Sequence, residues 1–183
     1  MDTNRERLLR LLREKSFHYR PDKPFQLASG RVSPYYIDCR PVTHNAEGLF
    51  LIGAIFCEKL RGLEVQAVGG LTMGADPIAH AIALTSYLQG RPINAFSVRK
   101  VAKEHGAGGL VVGDVKPGDQ VVILEDVITT GGSTLKAVAA ARDFGLQVLG
   151  VLLLVDRQEG GREAVAAVIP RVEALFTLAE LKD

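Results

Sequence analysis

One junction between an apolar strand and a glycine-rich loop constrains the fold of this chain most. Val121 to Leu124 are four consecutive aliphatic residues, which suit a strand buried on both faces of a parallel sheet. Two acids, Glu125 and Asp126, follow at once, and a helix is expected to start near Ser133. Because parallel strands need crossover connections that are usually helical, the junction predicts a parallel sheet flanked by helices.

The rest of the chain alternates in the same way. Apolar spacing predicts helices at 4–15, 49–60, 77–88 and 133–143, and strands at 25–27, 35–37, 65–68, 93–98, 121–125 and 147–155. Asn4 is a possible cap of the first helix, and Pro77 is expected to begin the third. The order predicts an α/β fold with helices on both faces and right-handed crossovers. Ligands should gather at the carboxyl ends of the strands, in the loops 70–76, 99–109, 125–132 and 156–161.

Length and composition set the class of protein. The 183 residues, 47% of them hydrophobic, predict a single domain spanning 1–183. The net charge is +1 and the basic residues are spread out, so we expect no nucleic-acid face and no membrane anchor. The longest apolar run, 148–155, is far short of a membrane span, and Met1 to Arg10 lacks the apolar core of a secretion signal, which predicts a cytoplasmic protein. Cys39 and Cys57 are interpreted as buried thiols.

The loop after the central strand has the composition of an anion site. Thr129 to Ser133 supplies hydroxyls and glycines, and the following helix adds the positive end of its dipole. Glu125 and Asp126 would repel a bare phosphate, so they are better suited to the hydroxyls or the cation of the same ligand. A ribose 5-phosphate carries both kinds of group. Ordinary turn acids and a helix cap are the alternative, but the loop matches neither a Walker A motif nor the GxGxxG pattern.

A second segment, Arg99 to Gly109, concentrates cationic side chains and then runs into glycines. A solvated loop is the simple interpretation. Beside a phosphorylated ribose, however, a cationic arm would neutralise the charge that develops on departing pyrophosphate. His105 has an ordinary pKa near neutrality and is therefore a candidate proton donor.

Together these segments resemble the type I phosphoribosyltransferase family, whose signature is an apolar strand, two acids, two further residues and a Thr-x-Gly-Gly-Ser loop. The resemblance implies that family's fold, a twisted parallel sheet with a small N-terminal hood, here about 1–40, over the base site. It implies that phosphoribosyl pyrophosphate is held by a set of loop and arm residues: Thr72, Met73, Gly74, Arg99, Lys100, Lys103, His105, Glu125, Asp126, Val127, Ile128, Thr129, Thr130, Gly131, Gly132 and Ser133.

The arm's Arg-Lys-x-x-Lys-x-His-Gly spacing is similar to the catalytic loop of the orotate phosphoribosyltransferase branch of that family. The resemblance implies that Lys100, Lys103, His105 and Asp126 are catalytic. It also implies that orotate is bound by Tyr36, Ile37, Thr129 and Arg157, the last through a bidentate pair with the carboxylate. The implied reaction transfers phosphoribose to orotate in pyrimidine synthesis.

The same resemblance implies a homodimer with shared active sites. Magnesium is the expected cofactor, because pyrophosphate and ribose hydroxyls offer a hard cation an oxygen-only site, and no direct protein ligand is expected. Ala28 and Met73 stand where many relatives have lysine, so pyrophosphate would depend more on the arm.

Two other functions remain open at this point. A phosphoribosyltransferase for another base would use the same ribose motif but would not need Arg157 for a carboxylate. A non-catalytic regulator that binds phosphoribosyl pyrophosphate is the more distant alternative, and the charged arm argues against it.

Overall fold

The computed structural model describes residues 2–26, 30, 32–101 and 109–183. Their order of elements follows the predicted alternation. The helices are α1 (Asn4–Lys15), α2 (Arg40–Thr43), α3 (Ala46–Lys59), α4 (Ala75–Leu88), α5 (Gly132–Asp143), α6 (Gly161–Ala166) and α7 (Leu178–Lys182). The strands are β1 (Phe17–Tyr19), β2 (Phe25–Gln26), β3 (Val32–Ser33), β4 (Tyr35–Ile37), β5 (Ala67–Leu71), β6 (Asn94–Val98), β7 (Val111–Gly113), β8 (Gln120–Ile128), β9 (Gln147–Asp156) and β10 (Val172–Thr177).

Within the described ranges, six strands form the central sheet in the order β10-β9-β8-β5-β6-β7. All neighbouring pairs are parallel except β6 and β7, which are antiparallel. The predicted α/β class and the parallel sheet are therefore confirmed, with one antiparallel edge strand that was not expected. β1 pairs with β4, and β2 with β3, in two small antiparallel sheets outside the main one.

Helices cover both faces of the central sheet, as predicted. One hydrophobic cluster joins α1, α3, α4 and α7 to residues such as Val68, Val122 and Leu124. The other joins α5 and α6 to Val121 and Ile123. Successive residues of β8 thus alternate between two cores, which explains the uninterrupted apolar run of this strand. Cys39 and Cys57 are buried free thiols, as expected.

Several predicted boundaries were wrong, for local reasons. Thr3, not Asn4, caps α1, because its hydroxyl accepts from the Glu6 N–H while the Glu6 carboxylate accepts from the Thr3 N–H. Asn45 caps α3, which starts three residues before the predicted position. α4 starts at Ala75 rather than Pro77, and β5 runs to Leu71 instead of ending at residue 68.

The boundary that matters most for the site is the end of β8. The strand was predicted to end at Glu125, but it continues to Ile128, since Val127 pairs with Val155 and Ile128 with Asp156 of β9. Glu125 and Asp126 therefore belong to the strand, and their backbone is held in the sheet. None of the helices in the described part of the chain is both long and apolar enough to cross a membrane.

Candidate active site

The direction of chain crossing reverses between β5 and β8. From β5 the chain passes through α4 to β6 on one side, and β8, β9 and β10 follow on the other side. At such a switch point the connections diverge and leave a crevice outside the carboxyl ends of the strands. The loops predicted to carry function begin at this edge of the sheet.

A cavity of about 420 Å³, which we call the β8 cavity, opens at the ends of β8 and β9. The structure brings together in its lining most of the residues predicted from the central junction, and it adds two from the hood and one from β9's end. The lining consists of Tyr36, Ile37, Glu125, Val127, Ile128, Thr129, Thr130, Gly131, Gly132, Ser133, Thr134, Lys136 and Arg157.

Glu125 is a buried acid whose carboxyl group interacts with Thr134 and with Asp126. The residue is 7% exposed, and its Oε2 accepts a hydrogen bond of 2.8 Å from the Thr134 hydroxyl. Burial, with a further contribution from the adjacent charge of Asp126, raises the pKa of Glu125 to about 8. Burial also raises the pKa of Asp126, against the N–H of Val127, which donates to its carboxylate at 2.9 Å.

The N-terminus of α5 is open toward the same cavity. Gly131, at φ 83°, occupies the cap position, and no side chain caps the helix. The first turn contains no acid, so the positive end of the helix dipole is not compensated there. A side chain at Gly131 would also collide with the carbonyl oxygen of Gly161, 2.8 Å from an ideal Cβ. Glycine is thus required for both the turn and its packing against α6.

The loop from Thr72 to Gly74, which the family resemblance predicts to hold the pyrophosphate of the substrate, contacts Asp126 directly. An ideal Cβ on Gly74 would lie 2.5 Å from Oδ1 of Asp126, so the carboxylate packs against the bare glycine. The Thr72 N–H donates to the Val98 carbonyl at 2.9 Å, which ties the loop to β6. Met73 is 64% exposed and lines a different surface, the groove between α3 and α4.

Arg99 and Lys100 line a second cavity of about 420 Å³ that shares Ser133 and Lys136 with the first. The Arg99 N–H donates to the Leu110 carbonyl at 2.8 Å, so the start of the arm is anchored beside β7. Lys103 and His105, the other arm residues predicted to act in catalysis, lie outside the described residues.

Arg157 follows β9 and is 3% exposed. Its backbone N–H donates to the Ile128 carbonyl at 3.1 Å, so the end of β8 fixes its position. The guanidinium pairs with Glu159, and Nη2 also approaches the Tyr35 carbonyl at 3.4 Å. An arginine at the end of a strand could equally form an ion pair on the surface, but here both side chains are largely buried.

Sequence reasoning missed three residues that the structure places in or beside the β8 cavity. Thr134 directly follows the recognised motif and is the buried partner of Glu125. Lys136 lies three positions after Ser133, so helical spacing could have placed it on the same face of α5. Glu159 is two residues after Arg157, but only the fold of the turn shows that they pair.

No group of three or more His, Cys, Asp or Glu side chains in the described ranges could hold a metal ion by itself. No protein-family model matches the chain. Whole-chain comparisons do find relatives. It is 51% identical over 178 residues to orotate phosphoribosyltransferase of Sorangium cellulosum, covering 96% of this chain and 91% of that protein.

Two further relatives agree with this finding. Orotate phosphoribosyltransferase of Aquifex aeolicus is 46% identical over 177 residues, 97% of either chain. The crystal structure of the Mycobacterium tuberculosis H37Rv enzyme in complex with 5-phospho-α-D-ribosyl 1-diphosphate superposes with a TM-score of 0.79 at 35% identity, covering 99% of this chain and 93% of that one.

The sheet order, the paired acids and the open helix N-terminus define a type I phosphoribosyltransferase, as the sequence motifs predicted. The extent and level of identity narrow this class further: the chain belongs to the orotate phosphoribosyltransferase family of enzymes.

The raised pKa of Glu125 predicts a pH-dependent cost to the fold. The unfolded chain releases the Glu125 proton near the ordinary value of 4.5, whereas the folded state keeps it up to about pH 8. The unfolded state therefore binds fewer protons in this window, and the stability contributed by Glu125 is lost as pH rises. Glu125→Gln should make the protein more stable than wild type at pH 8, by at least about 1 kcal/mol, since one pKa unit corresponds to about 1.4 kcal/mol.

Urea unfolding at pH 5, 6.5 and 8 measures this effect, and the gain should shrink toward pH 5. Glu64→Gln, at an exposed position, is the control and should change stability little at any of the three pH values. A Glu125→Gln variant that is no more stable than wild type at pH 8 would contradict the raised pKa.

Proposed function

We propose that this chain transfers the 5-phosphoribosyl group of phosphoribosyl pyrophosphate to N1 of orotate, forming orotidine 5'-phosphate and pyrophosphate in pyrimidine (UMP) synthesis. One observation carries the proposal: a single cavity is lined by an open helix N-terminus, by the buried acid Glu125, which Asp126 follows in β8, and by a buried arginine. These groups match, in order, a phosphate, ribose hydroxyls and an acidic base. The activity is also the one for which the family is named.

The 5-phosphate is assigned to the loop from Thr129 to Ser133. Its backbone N–H groups and hydroxyls surround the uncapped start of α5, where the dipole favours an anion. Lys136, one turn further along the same helix, adds a positive charge that both neighbouring cavities share. This arrangement binds the sugar phosphate without placing a negative side chain against it.

The ribose hydroxyls are assigned to Glu125 and Asp126. As the bond from C1 to the pyrophosphate oxygen breaks, positive charge develops on the ribose ring, and nearby carboxylates stabilise it. Because burial disfavours the charged form of both acids, hydrogen bonds from ribose hydroxyls should lower their pKa values on binding. Orotate deprotonated at N1 supplies the electron pair for the new bond to C1.

The leaving pyrophosphate is assigned to Thr72, Met73 and Gly74 together with Arg99, Lys100, Lys103 and His105. Arg99 and Lys100 line a cavity that shares the residues Ser133 and Lys136 with the β8 cavity. Met73 supplies no charge to this loop, so neutralisation of the leaving group rests on the arm. Lys103 and His105 are included on the strength of the sequence motif, and His105 is the candidate proton donor to pyrophosphate.

Mg²⁺ is the cofactor we propose. The support for it is the pair of adjacent carboxyl groups, whose ionised forms are disfavoured by burial. A cation held nearby through ribose hydroxyls and water would stabilise these ionised forms. When bound with phosphoribosyl pyrophosphate, Mg²⁺ would neutralise negative charge on the leaving group. Glu125 and Asp126 would support it through ligand and water oxygens, in agreement with the expectation of no direct protein ligand.

Orotate is assigned to Tyr36, Ile37, Thr129 and Arg157. All four line the β8 cavity or its rim, with the two hood residues on one side and the arginine at the end of β9. A neutral or basic nucleobase would leave the Arg157 guanidinium without a carboxylate. This argues against a phosphoribosyltransferase for another base, and an assay across free bases distinguishes the two activities.

The arm is tested by Lys103→Ala. We expect turnover to fall at least about 100-fold, because the lysine stabilises charge that develops only in the transition state. Binding of phosphoribosyl pyrophosphate, measured by calorimetry with Mg²⁺, should change little. Lys116→Ala, in the turn before β8, is the control for loss of a surface lysine. Unchanged turnover in Lys103→Ala would remove the arm from the mechanism.

Arg157→Ala tests the base site. The KM for orotate should rise at least about 10-fold, since a hydrogen-bonded ion pair to a carboxylate contributes roughly 1.5–3 kcal/mol. The KM for phosphoribosyl pyrophosphate should stay within about 2-fold of wild type, because the other substrate does not meet this side chain. Equal effects on both substrates would contradict the assignment.

We also propose that the protein works as a homodimer with shared active sites. α3 and α4 border a groove of about 800 Å³ whose apolar lining includes Leu49, Phe50, Met73, Pro77, Leu84 and Leu88. Leu88 is 76% exposed, and Tyr87 beside it is 72% exposed. An apolar surface of this kind marks a protein contact. A second copy is the occupant that we propose, because the groove continues through Met73 into the predicted pyrophosphate loop.

Mixing two inactive variants tests the sharing of sites. Lys103→Ala removes the arm and Asp126→Asn removes the ribose acid; if the arm of one subunit serves the partner's site, a heterodimer contains one site with both residues intact. Activity should then reappear when the two variants are unfolded together and refolded, and each variant alone, treated in the same way, is the control. No recovery in a confirmed heterodimer would show that each arm serves its own subunit.

A further inference from the structure

We propose that Glu159 is a positioning residue for the base site, which holds the Arg157 guanidinium so that its remaining edge faces the orotate carboxylate. The inference rests on the proposed role of Arg157 and adds a residue that no motif identified. In this role Glu159 acts on the substrate through Arg157 and does not itself touch the substrate.

One edge of the Arg157 guanidinium, formed by Nε and Nη2, is bonded to other protein groups. Nε donates to Glu159 Oε1 at 2.9 Å, and Nη2 lies 2.8 Å from the same oxygen. Nη2 also approaches the Tyr35 carbonyl at 3.4 Å. Nη1 makes no hydrogen bond to another residue in the described part of the chain, so its two N–H groups remain for a ligand in the cavity that Arg157 lines.

Burial makes this pairing matter energetically. The Arg157 side chain is 3% exposed and that of Glu159 is 18% exposed, so both charges have lost most of their water. A buried guanidinium without its carboxylate is strongly disfavoured. Without Glu159, Arg157 would be expected either to turn toward solvent or to take other acceptors, and in both cases Nη1 would no longer be aimed at a fixed point.

The backbone fixes the two side chains relative to each other. Gln158, between them, has φ 58°, in the left-handed region that costs free energy for a residue other than glycine. Two hydrogen bonds hold it there: its N–H donates to Asp156 Oδ1 at 2.7 Å, and its Oε1 accepts from the Ala179 N–H at 3.0 Å. The strained turn is thus anchored to β9 and α7, and Glu159 needs little reorganisation to meet Arg157.

Glu159 has two opposing effects on orotate. Its negative charge near the guanidinium repels a second carboxylate, whereas its hydrogen bonds orient the donors that bind that carboxylate. We infer that orientation dominates, because the Glu159 oxygen occupies the Nε side and leaves the Nη1 side to the ligand. Two substitutions separate the effects: Glu159→Ala removes charge and acceptor, and Glu159→Gln removes the charge but keeps an oxygen that accepts from Nε.

Steady-state kinetics of the full-length enzyme test the inference. Glu159→Ala should raise the KM for orotate about 10-fold, while the KM for phosphoribosyl pyrophosphate stays within about 2-fold. Glu159→Gln should recover most of this loss and lie within about 3-fold of wild type. Glu163→Ala, at an exposed position of α6, is the control and should match wild type. A merely structural role would instead change both KM values, kcat and the melting temperature together.

The results also separate this inference from the role of Arg157. If Arg157→Ala raises the KM for orotate but Glu159→Ala leaves it unchanged or lowers it, the positioning role is wrong and the base site stands. If Arg157→Ala itself has no effect, the assignment of the base site fails first. In the double variant, Glu159→Ala should add nothing to Arg157→Ala; a further additive rise would contradict action through the arginine.

Discussion

The site depends on a carboxyl pair that the sheet holds in a poorly solvated position. Glu125 and Asp126 are part of β8, and the pairing of Glu125 and Val127 with β9 holds the backbone on both sides of Asp126 in the sheet. Burial raises both pKa values, with a further contribution from the charge of Asp126 for Glu125 and from the charge of Asp38 for Asp126. The Thr134 hydroxyl opposes this effect for Glu125, and the Val127 N–H opposes it for Asp126. The fold therefore carries a local cost that a polyhydroxyl ligand can relieve.

The first N–H groups of α5 also lack a compensating side chain. Most helices place a side chain over their first N–H groups, as Thr3 does for α1 and Thr177 for α7. α5 has glycine at that position and no acid in its first turn. Because Thr134 belongs to this turn and donates to Glu125, a hydrogen bond links the uncapped end of the helix directly to the carboxyl pair. A ligand with phosphate at one end and hydroxyls at the other satisfies both groups at once.

The parts of the fold that follow from local sequence were predictable, and those set by distant pairing were not. The alternation of apolar runs identified α1, α4, α5, β6 and β9 closely. The end of β8 was misplaced, because two acids look like a turn and only pairing with β9 continues the strand to Ile128. The two edge strands were not predicted: β10 was missed altogether, and β7 follows a glycine-rich segment that was interpreted as a loop.

The candidate site shows the same division. The residues between Glu125 and Ser133 were found because strand, acids and loop are contiguous in sequence, and the structure collects nearly all of them around one cavity. Thr134 and Lys136 required the helical geometry that follows the motif. The pairing of Arg157 with Glu159 required a left-handed turn at Gln158, which a glutamine does not signal, since most positions with positive φ carry glycine.

Two sides of the candidate active site differ in how they are held: the turn after β9 is fixed by its own chain, whereas the loop from Thr72 to Gly74 borders the apolar groove beside α4. The turn is anchored by a hydrogen bond to the Asp156 carboxylate and one from the Ala179 N–H, so it can present Arg157 without help from another chain. The loop from Thr72 to Gly74 has its glycine against Asp126 and its methionine in an apolar groove. The outer side of this loop therefore stays exposed to solvent unless another protein surface covers the groove. If the proposed assignments and the proposed dimer hold, base binding is intrinsic to each subunit, whereas the pyrophosphate side depends on assembly, because an exposed apolar surface adjoins the loop from Thr72 to Gly74.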